Sequence, residues 1–537
     1  MNIPTPMPCR QLVLILGDQL DDTSSAFEGL EPQLDLVLMV EAIEESTHVW
    51  SHQQRTTLFL SAMRHFAAHL RQRGWQVDYR ALETHGDLTL ADGLRAAVAQ
   101  HRPHSVVGVL PGDARVQAQL DNAMLSIASN TSNTLASGTN GTNGIKNTIE
   151  WREDRHFLCS PAQFRRWAGQ STSLRMEFFY RQMRKQYKVL LDDSGEPVGG
   201  QWNYDADNRK GFGRAGPQNV PAPLAFAPDE LTLAVMAVVK QKFADHPGTL
   251  DTFDWPVTRS QALLALRDFI DHRLPDFGAH QDAMWTHLDV GWHALLSSAL
   301  NLKLLHPLEV ILAAETAWKE RDLNLASVEG FIRQILGWRE FMRGVYFLDM
   351  PGLKTANHYG HQNTLPAWYW TGNTRMNCLR HAVGQTLARG YSHHIQRLMV
   401  TGMFGITAHI EPRQLCDWYL AMYVDAVEWV ELPNTAGMAL FANGGRFTSK
   451  PYIASGAYIK RMSNYCSGCH YEPETRAGPN ACPMTTLYWN FLDTHETTFA
   501  SNPRTALMVK NLQRMNADER QAVRTTAHRM LDQLNDL

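Results

Sequence analysis

Residues 464–484, NYCSGCHYEPETRAGPNACPM, hold Cys466, Cys469 and Cys482 in a loop of glycine, proline and polar residues, in a chain with seven cysteines among 537 residues. The spacing Cys-x2-Cys-x12-Cys-Pro lets two thiolates grip one metal centre from a tight turn while the loop brings round a third. A fourth ligand must come from elsewhere: Cys378 in RMNCLR is the first candidate, with Cys416 and the neighbouring His470 as alternatives. The Cys-Pro ending is closer to iron-sulfur ligation than to zinc-finger spacing, whereas His470 would suit zinc, and structural zinc is the plainer alternative. So few cysteines in so long a chain are not a secreted disulfide framework; clustered thiols in a reducing compartment more often bind metal.

Two imidazoles stand together in YSHHIQRLM. Adjacent helical residues point about 100° apart, so His393 and His394 are not both simple core fillers. One facing a cavity could donate a proton near neutrality, although two neutral, hydrogen-bonded histidines are the commoner outcome. CDWYLAMYVDAVEWVELPN sets Trp418, Tyr419, Tyr423 and Trp429 among Asp425, Glu428 and Glu431. Aromatics at such spacing are mostly core, but a carboxylate buried beside them costs free energy unless it meets a donor such as a cofactor N–H. Residues 174–188, LRMEFFYRQMRKQYK, carry Arg175, Arg181, Arg184, Lys185 and Lys188 against one glutamate, interleaved with Phe178, Phe179 and Tyr180. That helix reads equally as a track for phosphates or as a solvated basic face. GFGRAG at 211–216 has the letters of a dinucleotide motif, yet YDADNRK precedes it instead of an apolar strand and Pro217 follows, so it reads as an ordinary loop.

The elements that must position these groups change along the chain. Over the first 110 residues the apolar runs LVLIL (12–16), LVLMV (36–40), VDYR and SVVGVL alternate with helical stretches at about 51–73 and 91–100. This predicts βα units and a mostly parallel, Rossmann-like sheet. Ligands of such sheets sit at the carboxyl ends of the strands, where LGDQL, Glu41 and PGDAR fall. Residues 126–148, SIASNTSNTLASGTNGTNGIKNT, have the composition of a flexible surface insertion. Beyond residue 256 helical periodicity dominates, and FIRQILGWREFMRGVYF puts Phe331, Ile335, Trp338, Met342 and Val345 on one face. The expected architecture is an α/β domain at 1–155, an interdomain connector at 156–255 and an all-α domain at 256–537. With 44% hydrophobic and 19% charged residues the composition is globular. No apolar run is long enough for a bilayer. The opening segment lacks a basic start and a small-residue cleavage site, so a soluble, cytoplasmic protein is expected. A net charge of −4 confines any nucleic-acid surface to a local patch.

Taken together, LVLILGDQL, LRMEFFYRQMR, PVGGQWNYDADNR, FGAHQDAM, GFIRQILGWREFMRG, YWTGNTRMNC, SHHIQRLM, WVELPN and KPYIASGAYIKRMSNYC resemble the iron-sulfur bacterial cryptochromes and photolyases, which include the prokaryotic (6-4) photolyases. The likeness covers nearly the whole chain apart from 126–148. It implies a 4Fe-4S cluster on Cys378, Cys466, Cys469 and Cys482, leaving Cys9, Cys159 and Cys416 outside the pattern. It implies FAD in the helical domain, with His293, Leu296, Ser297 and Asn301 of HALLSSALN at the phosphates, and Gln334, Arg339, Asp425 and Glu431 completing the site. Ala294 stands where the family usually has serine. Trp418 nearest the flavin, then Tyr419 and Trp370, would form an electron relay. The implied activity is light-driven repair of (6-4) photoproducts in UV-damaged DNA by a protein expected to be a monomer. His394 would act as general acid with His393 supporting it, Tyr452 and Asp282 would lie at the lesion, and Arg181, Arg184 and Lys185 at DNA phosphates. The N-terminal domain would bind a 6,7-dimethyl-8-ribityllumazine antenna through Asp18, Glu41 and Asp113, although Ala114 replaces an expected aromatic residue. Two rival readings are a blue-light receptor of the same fold and a zinc-stapled nucleic-acid-binding protein. The second leaves the flavin-type segments without a purpose.

Overall fold

The structure, a computed structural model, describes residues 9–135, 146 and 148–537. Five strands, β1 (Gln11–Leu14), β2 (Leu36–Val40), β3 (Gln76–Arg80), β4 (Ser105–Val109) and β5 (Ile149–Arg152), form a parallel sheet in the order β3-β2-β1-β4-β5. The period-two alternation of side chains divides its apolar residues between two cores. Val13, Ile15, Val37 and Met39 join Leu58, Ala62 and Phe66 of the helix Gln53–Gln72, in a cluster that continues unbroken through the helical domain. Leu12, Leu14, Leu36 and Leu38 face the other way, towards Leu94 and Ala97 of Leu90–His101 and Leu120 and Met124 of Ala114–Leu135. Both faces are therefore covered, which is why these strands read as continuous apolar runs. The strand order reverses between β1 and β4, opening a crevice at their carboxyl ends, and Asp18 and Asp113 follow those two strands.

Two features depart from expectation. The helix Ala114–Leu135 extends into the segment expected to be a flexible insertion, of which residues 136–145 and 147 lie outside the described residues. The short strand β5 follows it, hidden from sequence reading by its four-residue length. The loop 211–216 opens no helix, as expected.

From residue 256 onward the fold is helical, and three helices carry a π-helical turn: Arg333–Arg339, Arg397–Gly402 and Pro433–Ala439. The expected amphipathic run is thus a helix, a π turn and a second helix, Glu340–Asp349. The basic helix Met176–Tyr187 packs against the first π turn, where a Cβ at Gly337 would lie 2.9 Å from the Met176 sulfur. Arg184, expected at DNA, is 1% exposed. Its guanidinium donates to the carbonyls of Val189, Trp202 and Leu190, so it is a structural clamp that cannot reach a phosphate. Arg181 and Lys185 remain on the solvent side, with Arg181 paired to Glu177 at 3.1 Å. No helix among the described residues is long and apolar enough to cross a membrane.

The sheet is locked to the helical domain at the start of Gln53–Gln72. The His52 N–H donates to Ala421 O (2.8 Å), the Gln54 amide to Thr249 O (2.8 Å) and Ala388 O (2.9 Å), and Arg55 to Ala426 O. The His52 ring caps the helix by accepting the Gln54 N–H at Nδ1 (3.0 Å), which leaves Nε2–H to donate to Leu387 O (2.9 Å). Burial pushes its pKa down to about 4. Between pH 6.5 and 4 the unfolded chain therefore binds a proton that the folded chain refuses, so this contribution is full above the unfolded pKa and is lost as the pH falls. Urea unfolding at pH 7, 6 and 5 is expected to show stability falling with acid. His52→Asn, which can still cap but does not titrate, should remove up to about 1.4 kcal/mol per pH unit of that slope.

Candidate functional site

A cavity of 320 Å³ lies within the helical domain and falls in the range of small-molecule sites. Every expected flavin contact lines it: His293, Leu296, Ser297, Asn301, Gln334, Arg339, Asp425 and Glu431, together with His393, His394 and Tyr419. The three π turns supply Gln334, Ile335, Trp338 and Arg339, then Arg397 and Leu398, then Asn434, Thr435 and Ala439. An extra residue in a helical turn widens it locally and re-aims the side chains, and such turns concentrate at functional sites.

An ion pair fixes the wall. Arg397 holds both oxygens of Asp425 at 2.9 and 3.2 Å, its cation lies 3.8 Å from the Tyr423 ring centroid, and its Nε donates to Ser392 O at 2.7 Å. Ser297 donates to Asp425 Oδ2 (2.7 Å) and Asn301 Nδ2 to the Asp425 carbonyl (2.7 Å). Two side chains expected at phosphates are thus spent on positioning that aspartate.

The remaining polar groups look inward. The His293 and His393 rings stack with centroids 4.5 Å apart and an interplanar angle of 15°. Burial, then the neighbouring His394, pushes the His293 pKa down to about 4; burial, then His293, holds His393 well below its ordinary range. His394 stands at the cavity mouth, reachable by water yet surrounded by protein, and that enclosure followed by the Arg397 cation pushes it down to about 4. All three imidazoles are therefore neutral at neutral pH. Burial holds the Glu431 carboxyl well above its usual range. Five buried polar atoms on this lining find no partner: His293 Nε2, Arg339 Nε, His393 Nδ1, the Tyr423 hydroxyl and Glu431 Oε1.

The aromatic series runs in a different order from that expected. Tyr419 and Tyr423 line the cavity, and Trp418 stands behind them, with ring centroids 5.4 and 5.8 Å away. Trp418 donates its indole N–H to Tyr369 O, and Tyr369 stacks on Trp368 at 4.4 Å. Trp370 instead meets Trp50, 43% exposed, at 5.1 Å. Tyr452 and Asp282 do not line the cavity; both feel the charges of Asp205 and Arg209, and burial followed by Asp205 pushes Asp282 up to about 6.

A second cavity, 110 Å³, opens at the strand ends and is lined by Asp18, Glu41 and Asp113. Glu41 is not free to hold a ligand. Its carboxylate accepts from Arg64 at 2.7 and 2.9 Å, the Tyr79 hydroxyl at 2.5 Å and the Leu82 N–H at 2.9 Å. Burial pushes Asp18 up to about 6, opposed by Lys303.

Cys378, Cys466, Cys469 and Cys482 come together around a small cavity of 20 Å³. A Cβ at Gly456 would lie 3.1 Å from the Cys482 sulfur, a tight contact that glycine avoids. Of the two alternative ligands, His470 is exposed and Cys416 is buried beside Glu431, and neither lines this space. Burial, then the other thiols, pushes the Cys378 pKa well up, and Cys466 rises to about 12 by the same causes.

A (6-4) photolyase of Agrobacterium fabrum is 42% identical over 527 residues, spanning 98% of this chain and all of the relative. The chain belongs to the prokaryotic (6-4) photolyase family. The family model of deoxyribodipyrimidine photo-lyase-related proteins matches residues 13–255. The fold is that of a bacterial class III photolyase from Agrobacterium tumefaciens (TM-score 0.55, 16% identity, 86% of this chain and 88% of the other). It is likewise that of a cryptochrome from Synechocystis sp. PCC6803 (0.52, 15%, 84% and 88%).

Within this family framework, sequence reasoning missed Arg397, Tyr423, Asn434 and Thr435 as cavity residues. Arg397 and Asn434 lie inside the motifs SHHIQRLM and WVELPN, which was the available signal. Removing one member of this largely enclosed ion pair, whose side chains are 19% and 11% exposed, strands the other charge. Asp425→Ala should lower the urea-unfolding free energy by about 3 kcal/mol, and adding Arg397→Met should recover part of that loss.

Proposed function

We propose that this chain is a light-driven DNA repair enzyme acting on (6-4) photoproducts, with FAD in the main cavity and a 4Fe-4S cluster on Cys378, Cys466, Cys469 and Cys482. One observation carries the reading: the residues matched to flavin binding and three neutral imidazoles border a single cavity, among five buried polar atoms with no protein partner. Buried polar atoms left this way call for a polar ligand, so the lining fits such a group. FAD, when bound, supplies the absorption of light and the single electron that repair requires.

The chain's own residues bind, orient and move protons. Glu431, kept neutral by burial, and Arg339 face the flavin, while the Arg397–Asp425 pair fixes the wall between them and the histidines. A damaged base flipped from the duplex would enter at the mouth, and flipping costs least at a lesion. Tyr452 and Asp282, sharing the surroundings of Asp205 and Arg209, meet it at the edge, and Arg181 and Lys185 meet DNA phosphates. His394 donates the proton to the migrating hydroxyl or amino group, with His393 held behind it against His293. A neutral imidazole is a poor acid. The polyanion covering the mouth raises the His394 pKa, so the proton is loaded together with the substrate.

The four thiols suit a cluster better than a single ion. Four sulfurs border one space, and the Cys-x2-Cys-x12-Cys-Pro spacing of three of them is closer to iron-sulfur ligation than to a zinc finger. The raised pKa values of Cys378, Cys466 and Cys482 mean that these thiols ionise together only beside a strongly cationic centre. The second cavity takes the lumazine antenna, with Asp18 as the acidic group left to contact it and Asp113, whose Oδ1 accepts the Arg115 and Val116 N–H groups, bordering it.

Illumination with (6-4)-damaged DNA tests the assignment. Wild type should restore bases, and His394→Ala should lose about 100-fold or more in single-turnover rate with little change in DNA affinity. The wild-type rate should fall as the pH rises through the His394 pKa of the complex, because only the protonated ring donates. Photoreduction without base restoration would point instead to a receptor. Elemental analysis should find iron and sulfide in the purified protein and their loss in Cys466→Ser; one zinc per chain would refute the cluster.

A further inference from the structure

Gln396 lies 1% exposed beneath the paired histidines, and all of its side-chain partners are accounted for. Its Oε1 accepts the His393 backbone N–H (3.0 Å), and its Nε2 donates to Gln385 Oε1 (2.9 Å) and to the Tyr465 hydroxyl oxygen (3.0 Å). The orientation of these amides is forced. Gln385 Nε2 donates to the Asp289 carbonyl at 2.8 Å, so its oxygen must face Gln396; the His393 N–H can only donate, so it must face the oxygen of Gln396. Turning either amide over would set donor against donor or acceptor against acceptor.

Both arms of this clamp end on elements that carry the cysteines. Tyr465 immediately precedes Cys466, is 1% exposed, stacks on His381 at 5.5 Å and 7°, and its carbonyl accepts from Asn377 Nδ2 at 2.8 Å. Asn377 immediately precedes Cys378, and Gln385 lies two turns further along the same helix, Asn377–Arg389. One carboxamide therefore touches the backbone of the histidine pair on one side and both cysteine-bearing segments on the other.

We propose that Gln396 is a positioning residue that ties His393 and His394 to the four-cysteine centre, so that loss of the centre is felt at the histidines. The inference rests on reading Cys378, Cys466, Cys469 and Cys482 as the ligands of that centre. Coupling of this kind runs through packed, hydrogen-bonded groups and is reciprocal: disturbing the Gln396 amide should also loosen the cysteine loop.

The test is a histidine NMR titration of the full-length, cluster-loaded protein in the dark and without DNA, with the His394 signal assigned by its absence in His394→Gln. The charged or titratable groups facing His394 are Arg397, His293 and His393, and the variants alter none of them. Cys466→Ser should move the His394 midpoint by about half a pH unit, and in a Gln396→Met background it should move it no further. Tyr465→Phe removes only the hydroxyl and leaves all four thiols. It should keep its iron, shift the midpoint in the same direction as Gln396→Met, and expose the cysteines to a thiol reagent faster than wild type. An unshifted midpoint in Tyr465→Phe, or equal shifts from Cys466→Ser in both backgrounds, would overturn the proposal. Because the readout needs neither light nor lesion, a protein that fails to repair DNA would sink the enzymatic reading and leave this coupling standing or falling by itself.

Discussion

The Arg397–Asp425 ion pair is the junction on which the helical domain's cavity depends. Asp425 is gripped by a guanidinium from a π turn, by the Ser297 hydroxyl and, through its carbonyl, by Asn301. Arg397 in turn lies over Tyr423 and holds the Ser392 carbonyl, one residue before the histidines. Segments distant in sequence therefore converge on one pair of charges. A largely enclosed pair is poor evidence of net stability, because desolvation offsets much of its attraction. Its value here is geometric: both groups are polar, directional and expensive to separate, so the surrounding backbone has little freedom to collapse into the space beside them.

That constraint explains the charge state of the wall. Three imidazoles sit within reach of a permanent cation, His393 buried, His293 half-buried and His394 at the water-accessible mouth, and all three have depressed pKa values. Protonating any of them in the free protein would place a second positive charge next to Arg397. The stacked His293 and His393 rings can lie 4.5 Å apart because neither is charged. Glu431 is neutral by burial as well, so the lining is rich in hydrogen-bonding groups and poor in free charge. An interior of this kind suits a polar ligand held through directed hydrogen bonds.

How much was legible depended on which physical signal each feature left. The parallel sheet was readable because strands buried on both faces form continuous apolar runs, and three cysteines were readable because their spacing is itself a geometric statement. Cys378 left no such mark: it was the first candidate among three, and likeness to a family was what separated it from Cys416 and His470. Arg184 was misassigned although its signal was present: Met176, Tyr180 and Met183 define the buried stripe of that helix, and Arg184 falls on it, whereas Arg181 and Lys185 fall off it. Glu41 lies at the strand ends where it was expected, but a sequence does not reveal that Arg64, Tyr79 and Leu82 have already used its oxygens. The π turns were invisible, since one extra residue per turn blurs the apolar period only slightly while redirecting Gln334, Arg339 and Thr435 into the cavity.

The two cavities are also mechanically one object. The five-residue helix Glu428–Leu432 borders both: Glu428 lines the cavity at the strand ends and Glu431, three residues on, lines the main one. Glu428 is held by the Tyr346 hydroxyl and the Lys354 ammonium, each at 2.6 Å. Trp429 between them presses so closely on the loop after β4 that a Cβ at Gly112 would lie 2.4 Å from its ring. With one apolar core running from the sheet through the helices and the His52 cap pinning the same seam, the separation of the two spaces is set by packed side chains and not by a linker. Transfer of excitation energy between two chromophores depends steeply on their distance and relative orientation. Were both proposed chromophores bound, a shared helical wall held at Glu428 by Tyr346 and Lys354 is the arrangement that would keep both constant.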